Sequence, residues 1–190
     1  MKILVSVYLQ QIICFMRVGL ILLNLCFLFL FNCGEDKPSS ELKTEEDKAQ
    51  QPVINAKAIE GFKYTDYVLS TRGENAVSAW DKYQELAIQV NYLKKADLSF
   101  FNGDKALLKG FIDTLKLKTP PILSTNPIIS RTAIIETSIL RLNENLTLDN
   151  IDNQLKLESV KEVLVAFSNL NYQINKKLER DFYEKIQSEY

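Results

Sequence analysis

The feature that most constrains the fold is the spacing of apolar residues near the carboxyl end of the chain. Over residues 159–187, apolar side chains recur every three or four positions, which places them on one face of a helix. The stripe consists of Val160, Val163, Phe167, Leu170, Ile174, Leu178, Phe182 and Ile186. A helix of this length is about 45 Å long. Its apolar face must be covered by other elements, so the pattern predicts a bundle of helices.

The same periodicity runs through most of the preceding chain. It predicts further helices at about 57–71, 75–98, 104–118 and from Asn126 to about Leu146. Gly73 marks either a break between the first two helices or a kink in one long helix. We expect residues 147–158 to connect to the last helix, with at most a short helical turn around Ile151 and Leu155.

Local signals support these helix ends. Asp104 is a capping residue, and the Thr119-Pro120-Pro121 run stops the third helix because proline disfavours a helical residue before it. Asn126-Pro127 is typical of a helix start. Strand-like alternation is not sustained anywhere. The sequence therefore predicts an all-α fold, an antiparallel four- to five-helix bundle over residues 56–190.

The composition excludes several classes of function. The chain contains no His, and its cysteines Cys14 and Cys26 lie in the apolar amino-terminal region, which leaves Cys33 alone beyond it. This excludes haem ligation by His, a His or Cys zinc site, a Ser-His-Asp triad and a Cys–His pair. We therefore expect no metal and no cofactor. Lys and Arg number 23 against 24 Asp and Glu, a balance that argues against nucleic acid as a partner.

An apolar run from Val18 to Phe31 follows Arg17 and ends just before Cys33. The run is shorter than a membrane-spanning helix, which needs about 20 apolar residues. Its length fits the apolar core of a signal peptide, which has about 7–15 residues. Leu30 stands three positions before the cysteine. This arrangement resembles the lipobox of bacterial lipoproteins, and the acidic residues after the cysteine resemble Bacteroidetes surface-export signals.

The resemblance implies that residues 1–32 are a signal peptide and that Cys33 becomes an acylated amino terminus anchored in the bilayer. It also implies a place in the bacterial cell envelope. Because Gly34 rather than Asp follows the cysteine, the outer membrane is expected. An uncleaved amino-terminal anchor remains the alternative interpretation, and Met16 is an alternative initiator.

Residues 34–55 are rich in charge, Ser, Gln and Pro and contain almost no large apolar side chains. Such a composition predicts a flexible acidic tether. The chain thus divides into a signal at 1–32, a lipidated cysteine and tether at 33–55, and a helical domain at 56–190.

Three polar residues border the predicted apolar faces and are candidates for binding a ligand: Arg131, Asn91 and Asn171. An inward arginine could hold an anion through two hydrogen bonds, and buried asparagines could line a pocket. The ordinary alternative is an arginine with a packed stem and a solvated head, and asparagines that fix helix register or face water.

Two functional hypotheses follow. The preferred one is a binding or scaffolding module that contacts another envelope protein. The alternative is a small-molecule-binding or sensor bundle, in which Arg131, Asn91 and Asn171 converge on one cavity. We expect no enzymatic activity, because the carboxylates form no recognised catalytic motif.

Overall fold

A computed structural model describes residues 53–189 of the chain. This part contains α1 (Ala56–Glu60), α2 (Thr71–Val77), α3 (Asp81–Leu93), α4 (Lys105–Leu117), α5 (Asn126–Thr147) and α6 (Asn153–Ser188), with a 3₁₀ turn at Pro121–Leu123. It contains no β-strand, so the predicted all-α bundle is confirmed. The predicted signal peptide, Cys33 and all but the last three residues of the tether lie outside the described residues.

Most of the other helices pack against α6. Its 36 residues span about 54 Å, and α1, α2, α3 and α5 all pack against it. α5 makes the most extensive contact and runs antiparallel to α6, since Arg141 bonds to Glu162 while the later Asn145 bonds to the earlier Ser159. α4 packs on α5 and α3 packs on α4. No helix of residues 53–189 combines the length and apolar character needed to cross a bilayer.

The centre of the core is aromatic. Trp80 is fully buried, and its indole N–H donates to the carbonyl of Leu115 at 2.9 Å. The ring of Tyr83 stacks between Trp80 and Phe167, with centroid distances of 5.4 and 5.5 Å. The donated indole hydrogen bond explains how a Trp side chain is buried without leaving a polar atom unpaired.

The prediction of a helix over 57–71 is wrong for its second half. α1 ends at Glu60, and residues 62–70 are neither helix nor strand and bend at Tyr64. The segment ends in extended dihedrals at Ser70, before α2 begins at Thr71. Ser70 starts α2 as its cap, with its hydroxyl accepting from the amide of Gly73 at 3.2 Å. Aromatic and β-branched residues such as Tyr67 and Val68 favour this extended conformation.

The predicted helix over 75–98 is divided in two. The break falls at Trp80, whose φ of −98° and ψ of 77° are not helical. This turn allows the indole to enter the core. α3 then ends at Leu93, before Ala96 adopts a left-handed φ of 63°.

The expectation of a connection over 147–158 is also wrong in extent. α6 begins at Asn153, because the carboxylate of Asp152 accepts from the amide of Leu155 at 2.8 Å and caps the helix there. By contrast, α4 lies within its predicted bounds and is capped by Asp104 as expected.

Candidate functional site

The structure places the three predicted site residues in different environments. Asn171 is buried on α6. Asn91 is exposed on α3, so the expectation that it borders the core is wrong. Arg131 is half-buried on α5 and forms no ion pair with another described residue. The three side chains therefore do not make the polar layer that a shared ligand cavity would need.

Asn171 instead belongs to a set of polar side chains on one face of α6. This set, which we call the α6 ladder, comprises Ser168, Asn171 and Asn175. Their spacing of three and four residues places them above one another along the helix. All three bind the main chain of the extended segment at residues 62–70.

The hydrogen bonds of the ladder use both donors and acceptors. The hydroxyl of Ser168 accepts from the Tyr67 amide at 2.7 Å and donates to the Thr65 carbonyl at 2.6 Å. The amide group of Asn171 donates to the Tyr67 carbonyl at 2.9 Å.

Asn175 completes the ladder. Its side chain donates to the carbonyl of Val68 at 2.8 Å and accepts from the amide of Ser70 at 2.9 Å. Ladder residues further along α6 bind later residues of the segment, so the two run in the same direction. Seven residues of helix rise about 10 Å, a distance that an extended chain covers in three to four residues.

Tyr83 fixes the orientation of the ladder from inside the core. Its hydroxyl donates to the side-chain oxygen of Asn171 at 2.7 Å, which directs the Asn171 NH₂ towards the segment. Burial, with a smaller contribution from Glu74, raises the pKa of Tyr83 far above its usual range. The phenol therefore remains a neutral donor at physiological pH.

Beside the ladder lie two pairs of exposed aromatic rings, Tyr67–Tyr172 and Phe182–Tyr183, which together we call the aromatic patch. Their exposed fractions are 37%, 38%, 41% and 58%. The rings of Tyr67 and Tyr172 lie 4.7 Å apart, and those of Phe182 and Tyr183 lie 5.9 Å apart. Tyr172 and Tyr183 are separated by three helical turns and so share one face of α6.

Cations accompany these rings. The guanidinium carbon of Arg72 lies 3.7 Å from the centroid of Phe182, and the Lys176 ammonium lies 6.0 Å from that of Tyr172. A groove of about 510 Å³ opens between Arg72, Phe182 and Tyr183. The patch thus combines aromatic surface, an arginine and a concavity.

Elsewhere the charged residues form surface ion pairs. Lys116 bonds to Glu136 at 2.7 Å between α4 and α5, and this hydrogen bond holds the pKa of Glu136 below its ordinary value. Within residues 53–189, no three acidic side chains come together as ligands for a metal would.

Asn171 was predictable from the sequence as a candidate, whereas Ser168 and Asn175 were not predicted. All three follow the helical period of the apolar stripe, and this spacing is visible in the sequence. Their common target, a segment about 100 residues earlier in the chain, is not visible in that period. No family model matches this chain, and no match is found among the curated proteins or the solved structures.

Proposed function

We propose that this chain is a lipoprotein of the bacterial envelope, anchored in the bilayer through acylated Cys33, whose helical bundle is a binding or scaffolding module for another envelope protein. The observation that carries the binding role is the aromatic patch. Tyr and Arg are among the residues that contribute most to protein–protein affinity, because they combine large apolar area with polar groups.

The surroundings of the patch favour a protein partner. Acidic and basic residues alternate around it, with Lys176, Glu179, Arg180 and Glu184 all exposed on α6. A polar rim of both signs around an apolar centre is typical of protein interfaces. An anionic membrane surface or a nucleic acid would require a surplus of positive charge, which this part of α6 lacks.

We propose neither a cofactor nor an enzymatic reaction for this module. The small-molecule alternative required Arg131, Asn91 and Asn171 to surround one cavity, and within residues 53–189 they do not. Among the residues that the structure describes, the aromatic patch is the arrangement of side chains that supports the binding role.

Site-specific photocrosslinking in the native host tests this function. A photoreactive phenylalanine analogue at Tyr172 or Tyr183 should give the same discrete protein adduct on irradiation, because both rings lie on the patch. The matched control is Leu117, which is 80% exposed and lies on α4, a helix that packs on α3 and α5. Absence of an adduct at the patch, or the same adduct from Leu117, would contradict the proposal.

A further inference from the structure

The α6 ladder recognises main chain rather than side chains. Every hydrogen bond it makes to the extended segment ends on a backbone amide or carbonyl, at Thr65, Tyr67, Val68 and Ser70. An asparagine side chain presents one carbonyl and one NH₂, so it can replace the neighbouring strand that an extended chain would otherwise need.

Phe62, Tyr64 and Leu69 are half-buried against the core, whereas the side chains beside the ladder contribute less to holding the segment. Thr65, Asp66, Tyr67 and Val68 are all exposed, and Val68 is 76% exposed. The Asp66–Lys94 ion pair lies at the surface, where such pairs contribute little to stability. Leu69, half-buried against the core, is the apolar anchor nearest to the ladder.

Recognition of this kind tolerates many sequences. When main-chain hydrogen bonds supply the affinity, any extended polypeptide with an aliphatic residue at the anchor position can make the same bonds. Without the segment, the ladder would lose five hydrogen bonds to main-chain groups and would exchange them for hydrogen bonds to water. Another main chain that takes the place of the segment can restore these hydrogen bonds, each with a net value of about 0.5–1.5 kcal/mol.

We propose that the α6 ladder is a binding site for an extended segment of the partner protein, and that residues 62–70 are its resting occupant. The partner's strand would replace this segment on Ser168, Asn171 and Asn175, next to the aromatic patch. This inference rests on the proposed protein-binding function and specifies the form in which the partner binds.

The test uses the full chain with residues 63–69 replaced by a Gly/Ser run of equal length, which retains Ser70 as the α2 cap. The probe is a fluorescent peptide with the sequence of residues 62–70, followed by anisotropy. We expect saturable binding at least about tenfold tighter than to the unaltered chain, in which the resident segment competes. Circular dichroism of the variant checks that the helices form.

Matched peptides and variants isolate main-chain recognition. N-methylation of the Tyr67 amide removes the hydrogen donated to Ser168 and should weaken binding about tenfold, whereas Asp66→Ala in the peptide should change it less than about threefold. Asn175→Ala in the protein should weaken binding similarly. Asn169→Ala, on a different face of α6, should leave it unchanged.

Failure of the folded variant to bind the peptide, or equal binding of the N-methylated peptide, would overturn the inference. If the variant does not fold, hydrogen exchange of backbone amides in the unaltered chain tests the inference instead. The amides of Tyr67 and Ser70 should exchange at least about 100-fold faster than that of Leu170, because the segment opens locally. Equal protection would overturn the inference.

Two further results separate this inference from the proposed function. Self-association of the unaltered chain that disappears when residues 63–69 are replaced would assign the ladder to a second copy and overturn the partner assignment. A specific crosslink at Tyr183 without peptide binding would leave the protein-binding function intact while contradicting the ladder as its site.

Discussion

At the scale of single residues, Tyr83 connects the core to the extended segment. Its ring lies between Trp80 and Phe167, while its hydroxyl orients the side chain of Asn171. The position requires both an aromatic ring for packing and a donor for the ladder. Phenylalanine meets the first requirement only.

Tyr83→Phe should therefore destabilise the domain. The substitution keeps the ring but leaves the buried oxygen of Asn171 without its donor, which should cost about 1–3 kcal/mol in the free energy of unfolding. Denaturant titration measures this cost. The control is Tyr92→Phe, at a site that is 48% exposed, where the free energy should not change measurably.

The raised pKa of Tyr83 also predicts how stability depends on pH. An unfolded tyrosine titrates near about 10, whereas buried Tyr83 keeps its proton to higher pH. Above about pH 10 the unfolded state binds fewer protons than the native state, so the free energy of unfolding falls as pH rises. The contribution of protonated Tyr83 to the free energy of unfolding is fully present below about pH 10.

The fall above pH 10 should be shallower in Tyr83→Phe than in the unaltered domain. Tyr64, whose pKa burial also raises, contributes with the same sign but is present in both proteins, so the difference isolates Tyr83. Unfolding curves at pH values from 8 to 11 would measure it. Identical slopes would mean that Tyr83 is accessible to solvent in the folded state.

At the scale of elements, Gly73 in α2 and Gly110 in α4 form a matched pair. A Cβ at Gly73 would lie 2.8 Å from the side-chain oxygen of Asn175 and 3.0 Å from Leu69 Cδ2, whereas a Cβ at Gly110 would meet nothing within 4 Å. Both residues are helical, so alanine brings a gain in helix propensity at each site, which is larger at Gly110 in the helix interior. At Gly73, the added methyl group would also clash with Asn175 of the ladder, and this clash opposes the gain.

Gly110→Ala should stabilise the domain by about 0.5–1 kcal/mol through helix propensity alone. Gly73→Ala should destabilise it by about 1–3 kcal/mol, because the added methyl group displaces Asn175 or Leu69. Thermal unfolding of the two variants side by side tests the prediction. A gain in stability at both sites would show that α2 does not pack closely on the ladder.

The ends of α4 are predictable from the sequence, whereas the conformation of residues 62–70 is not. α4 was predicted within one residue at each end, because Asp104 and the prolines at 120 and 121 encode its ends locally. The sequence predicts a helix over 62–70 because Phe62 and Tyr67 fit a helical spacing. The extended form of this segment depends on hydrogen bonds to α6 about 100 residues away, and no local pattern records them.

At the scale of the whole molecule, the stripe on α6 was sufficient to predict a bundle, since a long amphipathic helix must be covered. The candidate site was only partly predictable. Asn171 borders that stripe and is buried, but Asn91 faces solvent and Arg131 forms no ion pair with a residue that the structure describes. The aromatic patch arises where α2 and the extended segment meet α6, so it depends on the fold as a whole.

The proposed role joins this surface to a membrane. The acylated cysteine would place the domain at the envelope, and the patch with its ladder would face a protein partner there. The patch alone supports a binding role but does not indicate where in the cell the protein acts. Anchoring at Cys33 is therefore the claim on which the cellular role depends.

Intact-mass and peptide mass spectrometry of the protein purified from membranes of its native host tests this claim most directly. We expect a mature chain that begins at Cys33 and carries a diacylglyceryl group on its sulfur, with residues 1–32 absent. A free thiol at Cys33, or a chain that retains the apolar run from Val18 to Phe31, would contradict the account.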